Sequence, residues 1–330
     1  MTSIAMQPVR TGNPGIVPPW LQGSVGTGAV GAVPTAPGTD AVLAHAWISP
    51  FGADVEAYLH DALRGARQSR SDSAGQQQVE EVVARVQEAY ARLGVTDAEG
   101  NGPVHAEYHP EFPNAAYAPN GDREYGFRPD SINIGVDPRT GQSFADATDV
   151  IAHELGHRIV EHMTGGTFDN SPASEDVAVN ESLADTFASL VDDDDWVIGD
   201  ELAEPIRDMA HPERMGHPGS VAELKDVLAP GSPFLYPATT TSGRTVMLPD
   251  WHVVAGVPNK AAAIIGDRLG REKLGEIYLD AVRNHVRGGG RISGLAKATI
   301  QSAADLFGTD SRELQVTADA WRAVGLLRDR

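Results

Sequence analysis

The sequence predicts an α+β fold: a flexible arm over residues 1–45, an α+β lobe over 46–165, a mainly α-helical lobe over 166–330, and a ligand cleft between the two lobes. Three observations carry this. Candidate strands at 104–108 and 132–136 flank a loop rich in Asn, Pro and Gly and share the first half with helical periodicity. After Asp149 the chain reads as almost wholly helical. Between these halves lies an amphipathic stretch, DVIAHELGHRIVE at 149–161, with two histidines four residues apart.

Taken in order, residues 1 to about 40 are rich in Gly, Pro, Thr and Ala and hold too few apolar residues to fold alone. Within them an apolar island includes Pro18, Pro19, Trp20 and Leu21. So stiff and apolar a segment could plug a groove, or be a tail with no role. Residues 41–67 are weakly helical and 68–78 read as a polar linker. Val79, Val82, Val83, Val86, Ala89, Tyr90 and Leu93 recur at helical spacing, and Gly94 stops that helix. Further helices are predicted at 176–191, 200–209, 221–228, 257–269, 271–286, 294–306 and 311–325, separated by Gly, Pro or Asp signals.

Composition excludes several classes. With 26 Lys and Arg against 46 Asp and Glu, the net charge of −20 repels phosphate and suits cations, so nucleic acid is not an expected partner. There is no cysteine, so a metal must be held by His, Asp or Glu. No apolar run approaches the roughly 20 residues of a membrane span. The N-terminus lacks the basic start and apolar core of a secretory signal. The expectation is a monomer that does not meet the membrane, either cytoplasmic or secreted by a signal-independent route.

On a helix, a separation of four residues brings His153 and His157 to one face, where both can reach one metal ion. Glu154 lies about a quarter turn away at roughly 100° per residue, so it can address a water on the metal without ligating. Val150, Ile151, Leu155, Ile159 and Val160 would also suit a plain core helix carrying two surface histidines. Downstream, Glu181 and Asp185 lie four apart in NESLAD, so one carboxylate can bind metal while the other supports an imidazole. Two histidines and one carboxylate leave a position open for water, which is catalytic rather than structural architecture.

HExxH followed by NExxxD resembles the thermolysin family of metallopeptidases. The handling of zinc by two His and one Glu in that family is also the general example of such a site. Other blocks of the sequence resemble the family in the same order. Asn114-Ala115-Ala116-Tyr117 is similar to its substrate-binding edge, Pro205-Ile206-Arg207-Asp208 to the segment whose arginine binds a substrate carbonyl, and His252 to its oxyanion histidine. The resemblance runs from about Val79 to the end and implies a zincin-like lobe followed by a helical one. It implies Zn²⁺ on His153, His157 and Glu181, with Glu154 taking the proton of the attacking water and His252 stabilising the oxyanion. Asn180 and Asp185 would orient the imidazoles and Asp250 would align His252. Asn114, Ala115 and Arg207 would bind peptide, while Val150 and Ile206, with Phe144, would line a pocket for bulky apolar side chains. Peptide or protein substrates follow.

The family's second oxyanion donor, a tyrosine, aligns with Phe168, which has no hydroxyl. The His157 to Glu181 interval is also lengthened by a polar insert at 169–175. The family implies Ca²⁺ on Asp149, Asp192, Asp195 and Asp200, although Val197 stands where it usually has Glu. Protealysin-like members carry a short propeptide with a Pro-Pro-x-Leu-like element, which Pro18-Pro19-Trp20-Leu21 resembles. Residues 1–45 would then be an inhibitory segment removed by self-processing. The alternative to an endopeptidase is a zinc-binding pseudo-peptidase or interaction protein with reduced activity.

Overall fold

The computed structural model describes residues 73–327 apart from 124, 170, 172, 240–243 and 289–290. The arm with Pro18, Pro19, Trp20 and Leu21, and the weak helix at 41–67, lie outside the described residues.

Helix α1 (Ser73–Arg92) buries Val79, Val82, Val83, Val86 and Tyr90, the stripe read from the sequence. It starts earlier than expected, taking in residues 73–78 of the predicted linker. The reason lies in Gln76. Its amide donates to the Ala106 carbonyl and accepts from the Tyr108 N–H, both at 2.8 Å, and so satisfies backbone groups of strand β1 (His105–Tyr108). Polar composition there marks an anchor rather than a linker.

Strand β1 pairs in parallel with β3 (Ser131–Ile134), which pairs antiparallel with β2 (Ala115–Ala118), giving the order β1-β3-β2. Sequence periodicity missed β2 as a strand, because AAYA has no alternation and all four residues are buried. One glycine is required beside it. A Cβ on Gly135 would sit 1.7 Å from the Phe112 carbonyl oxygen, so no side chain fits where the chain passes Phe112.

Helix α2 (Thr148–Thr164) packs on this sheet and on α1, where the Tyr90 hydroxyl donates to the Ala152 carbonyl at 2.7 Å. Gly165, in the left-handed region at φ 66°, closes it. Helix α3 (Asp176–Ala188) lies against α2. The segment 200–209, read as a helix, instead forms a loop and a two-residue strand. β4 (Val197–Ile198) and β5 (Arg207–Asp208) pair antiparallel, with the Ile206 N–H on the Ile198 carbonyl at 2.8 Å. Gly199 at φ 77° turns the chain and Pro205 removes a donor, so the helical spacing is overridden.

The remainder is helical, with one exception. After α4 (Val221–Val227), β6 (Leu235–Thr239) and β7 (Thr245–Pro249) form an antiparallel hairpin within a half expected to be helical throughout. A short helix α5 (Trp251–Val254), absent from the sequence reading, precedes α6 (Gly256–Leu269), α7 (Arg271–Asn284), α8 (Ile292–Phe307) and α9 (Arg312–Ala323), which lie near the predicted bounds. They pack into one apolar core with α2 and α3, in which Trp321 is fully buried and donates to Thr299 Oγ1 at 2.8 Å. No helix among the described residues is long and apolar enough to cross a membrane.

Arg283 on α7 ties the helical half to the turn before β1, its Nε on Glu99 Oε1 at 2.6 Å. That bond holds the Glu99 carboxyl down to about 2, from an ordinary 4.5, despite partial desolvation. A depressed carboxyl stabilises the fold above its ordinary value and loses that effect as pH falls through the folded one. Glu99→Gln should therefore lower Tm by about 1–3 °C at pH 7, discounted for solvent exposure. The difference from the wild type should close as pH falls through the window from 4.5 to about 2. Thermal melts across that range check it, and a constant gap would contradict the linkage.

Candidate active site and metal centre

Helix α2 is buried almost throughout, from Asp149 to Val160, and α3 along its whole length. The two can lie close because Gly156 faces Ala184. A Cβ on Gly156 would come within 3.0 Å of the Ala184 Cα, tighter than packed side chains allow. Gly156 sits between Glu154 and His157, and Ala184 between Glu181 and Asp185. The point of closest approach therefore lies at the functional side chains.

There the imidazoles of His153 and His157 meet edge to face, centroids 4.5 Å apart at 84°. Glu181 reaches both: Oε2 is 3.4 Å from His153 Nε2 and Oε1 is 3.4 Å from His157 Nε2. The three residues offer ligand atoms all within 4.8 Å of one another, and all three are buried. His157 Nε2 and Glu181 Oε2 have no hydrogen-bond partner among the described residues. Orphaned buried polar atoms are costly, and a cation between them would satisfy both. The donor set, two imidazoles and a carboxylate, suits zinc and leaves a coordination position for solvent.

Behind the ligands, each outer imidazole nitrogen is engaged. His153 Nδ1 lies 2.7 Å from Asp185 Oδ1, and His157 Nδ1 lies 3.2 Å from Asn180 Oδ1. Asp185 also accepts from Arg207 at 2.6 Å and from Asn259 Nδ2 at 2.7 Å. Burial alone would raise the Asp185 carboxyl, but Arg207 and His153 outweigh it and hold it at about 2. Burial likewise opposes ionisation of Glu181, yet His252 and His157 keep it well below the usual carboxylate range. Arg207 is itself fixed in this network, and sequence reading did not foresee its bond to Asp185 or the part played by Asn259.

Glu154 projects from the same turn of α2, and its Oε2 accepts from the Tyr117 N–H of β2 at 2.7 Å. Opposite, Asp250 caps α5. Its Oδ1 accepts from the His252 N–H at 3.0 Å and lies 2.9 Å from His252 Nδ1. His252 Nε2 is thus turned toward Glu181 Oε1, at 3.4 Å. Burial would lower the His252 pKa, but Glu181 and Asp250 raise it. Nearby His217, not singled out from the sequence, has its pKa lowered to about 4 by burial and by Arg207.

A small pocket open to solvent adjoins the cluster, lined by Asn114, Ala115, Phe144, Val150, Ile198 and Ile206 together with His153, Glu154 and Arg207. Ile198 is the lining residue that the sequence did not flag; it arrives on β4, which the helical reading of 200–209 obscured. Phe168 is buried in the apolar core.

A second acidic group forms at the start of α2. Asp149, Asp200 and Glu201 offer oxygens within 4.8 Å of one another, and Asp149 accepts from the Gly199 N–H at 2.5 Å. Burial pushes the Asp149 carboxyl up to about 7, with Glu201, Asp192 and Asp200 adding to the rise. Glu201 stands in this group although the sequence reading names Asp149, Asp192, Asp195 and Asp200. Asp192 lies near enough to feel these charges, and desolvation and Asp194 push it up to about 6. The charge of Asp195 adds to that rise; its carboxylate accepts from the Val197 N–H at 2.6 Å, and its carbonyl accepts from Arg271, which stacks over Trp196 at 3.2 Å.

Residues 173–326 match the family model of the thermolysin metallopeptidase alpha-helical domain. The chain is 31% identical over 189 residues to a bacillolysin of Brevibacillus brevis, a match covering 54% of this chain and 33% of that protein. It is 28% identical over 211 residues to the thermostable neutral protease NprT of Geobacillus stearothermophilus, covering 58% and 35%. The matched region thus spans about a third of the length of these relatives. Among solved structures, the precursor of protealysin, a metalloproteinase from Serratia proteamaculans, shares the fold. The TM-score is 0.58 at 21% identity, over 79% of this chain and 81% of that one.

The hydrogen-bonded layer behind the imidazoles should govern zinc affinity. Asp185→Asn, which keeps shape but removes the charge facing His153 and Arg207, should weaken zinc binding about 10- to 100-fold. His157→Ala should abolish stoichiometric binding. Competition against a chromophoric chelator measures both, and an Asp185→Asn variant with wild-type affinity would contradict the orienting role.

Proposed function

We propose, from the premise that this chain is a thermolysin-family metallopeptidase whose C-terminal half carries that family's helical domain, that it is a zinc-dependent endopeptidase. The observation that carries this reading is the convergence of His153, His157 and Glu181, with Glu154 one residue from the first ligand and clear of the ligand set. Zinc held by those three residues would act as a Lewis acid, polarising the scissile carbonyl and making water acidic enough to lose its proton.

The chain's own groups supply the remainder. Glu154, its carboxylate fixed by the Tyr117 N–H, takes the proton of the attacking water and returns it to the leaving amine. With its ring protonated, a form the Asp250 carboxylate on Nδ1 favours, His252 donates an N–H from Nε2 to the oxyanion. Substrate lies along Asn114 and Ala115 at the start of edge strand β2, whose backbone groups can bind an extended peptide, and Arg207 meets a substrate carbonyl. The apolar walls of Phe144, Val150, Ile198 and Ile206 favour cleavage before bulky apolar residues. Residues 1–45 act as an inhibitory segment removed by self-cleavage, a reading supported by the fold shared with a precursor. The lobes at 46–165 and 166–330 are the working units. Asp149, Asp200 and Glu201, with Asp192 nearby, hold calcium beside α2.

Casein should be hydrolysed by the processed protein, and a peptide library should be cut before Leu, Ile or Phe. Glu154→Gln should lower kcat by at least about 10³-fold while zinc content stays at the wild-type level, and deletion of residues 1–45 should raise activity. Phe168 favours a second reading, a zinc-binding pseudo-peptidase. An inactive zinc-loaded wild type would establish that reading instead, and an active Glu154→Gln would remove the base assignment.

Calcium should raise Tm by several degrees, and Asp149→Asn should abolish that shift. Equal shifts in wild type and variant would contradict the assigned ligands.

A further inference from the structure

Glu154 and Arg158 project from α2 one turn apart, and hydrogen bonds between them close a circuit through the sheet. Arg158 grips Asp130 with two bonds, Nε to Oδ1 at 2.7 Å and a terminal nitrogen to Oδ2 at 2.8 Å. Asp130 Oδ1 accepts from the Tyr117 hydroxyl at 3.1 Å. The Tyr117 N–H in turn donates to Glu154 Oε2 at 2.7 Å. Arg158, buried to 4% exposure, is itself held by the carbonyls of Gly100, Gly102 and Pro103. Asp130 takes a left-handed backbone at φ 54°, the one non-glycine residue to do so among those described, which aims its carboxylate back at the helix.

We infer that Tyr117, Asp130 and Arg158 are positioning residues that fix β2 against α2 and so set the aim of the Glu154 carboxylate. The inference rests on the endopeptidase reading for its kinetic consequence and on geometry alone for its structural one. Edge strand β2 has four residues, pairs on one side only and runs into a turn at Gly121, so the hydroxyl bond to Asp130 adds a tie beside the β3 pairing and core packing of Tyr117. The tyrosine side chain supplies a second attachment on the same residue that donates to Glu154. Asp130 is held in its charged form by Arg158 against the effect of burial, which keeps both of its oxygens as acceptors. His162 Nε2, 3.5 Å from Asp130 Oδ1, completes its surroundings on α2.

The test uses the full chain and three variants: Tyr117→Phe, Asp130→Asn and the double substitution. Tyr117→Phe removes one hydroxyl and leaves the ring to pack. Loss of aim should lower kcat about ten- to a hundredfold with KM within about twofold, zinc content unchanged and the melting transition intact. The double variant should lose little more than the larger single loss, because both changes open one circuit. Hydrogen exchange at the Tyr117 amide, read in the Glu154-containing protein without turnover, should speed up at least about tenfold in Tyr117→Phe. Unchanged kcat with unchanged amide protection overturns the inference, as does a multiplicative loss in the double variant. If the wild type proves inactive, the endopeptidase reading fails by itself, and the amide exchange alone then decides: faster exchange upholds the circuit and unchanged exchange ends it.

Discussion

The structure depends on how closely two buried helices approach. With no side chain on Gly156 and only a methyl on Ala184, α2 and α3 come near enough for Glu181 to face both His153 and His157. A side chain at position 156 would press on α3 at this point, because a Cβ there already comes within 3.0 Å of the Ala184 Cα. The same approach leaves Glu154, Glu181 and Asp185 all buried. Apolar packing around them, from Ile151 and Leu155 on α2 to Leu183 and Phe187 on α3, excludes water and makes every charge there count for more.

That burial imposes an electrostatic condition. Three carboxylates on α2 and α3 face one guanidinium, Arg207, and such a cluster is stable only if further positive charge or hydrogen bonds compensate it. Part of the compensation is visible: Asn259 and Arg207 on Asp185, the Tyr117 N–H on Glu154, and imidazoles on Glu181. The remaining polar atoms, His157 Nε2 and Glu181 Oε2, point to where a divalent cation fits. Fold stability and metal affinity are therefore linked, because the site is assembled only in the folded chain. The acidic group at Asp149 follows the same logic one turn earlier, where a buried carboxylate gathers like charges around it.

Much of this was legible in the sequence because its signals are local. HExxH and the four-residue spacing of Glu181 and Asp185 fix which side chains share a helix face, and the apolar stripes of α1 and of α6 to α9 repeat at helical spacing. What was hidden depended on partners distant in sequence. Strand β2 is four small or aromatic residues that become a strand only through β3, and the residues at 200–209 keep a helical spacing that Gly199 and Pro205 override. Asn259, Ile198 and Glu201 join their sites through tertiary contact, 74 residues separating Asn259 from Asp185. In the circuit from Arg158 to Tyr117 only Tyr117 belongs to a recognisable block, and nothing in the sequence ties it to Asp130 or Arg158 until α2 and the sheet meet.

The account stands on one coordination sphere. Diffraction from crystals of the full chain grown with zinc, collected on both sides of the zinc absorption edge, locates the ion without assumption. The account predicts a single strong anomalous peak about 2.0–2.2 Å from His153 Nε2, His157 Nε2 and a Glu181 oxygen, with Glu154 beyond bonding distance. A peak elsewhere, or a sphere closed by Glu154 as a fourth protein ligand, would contradict it.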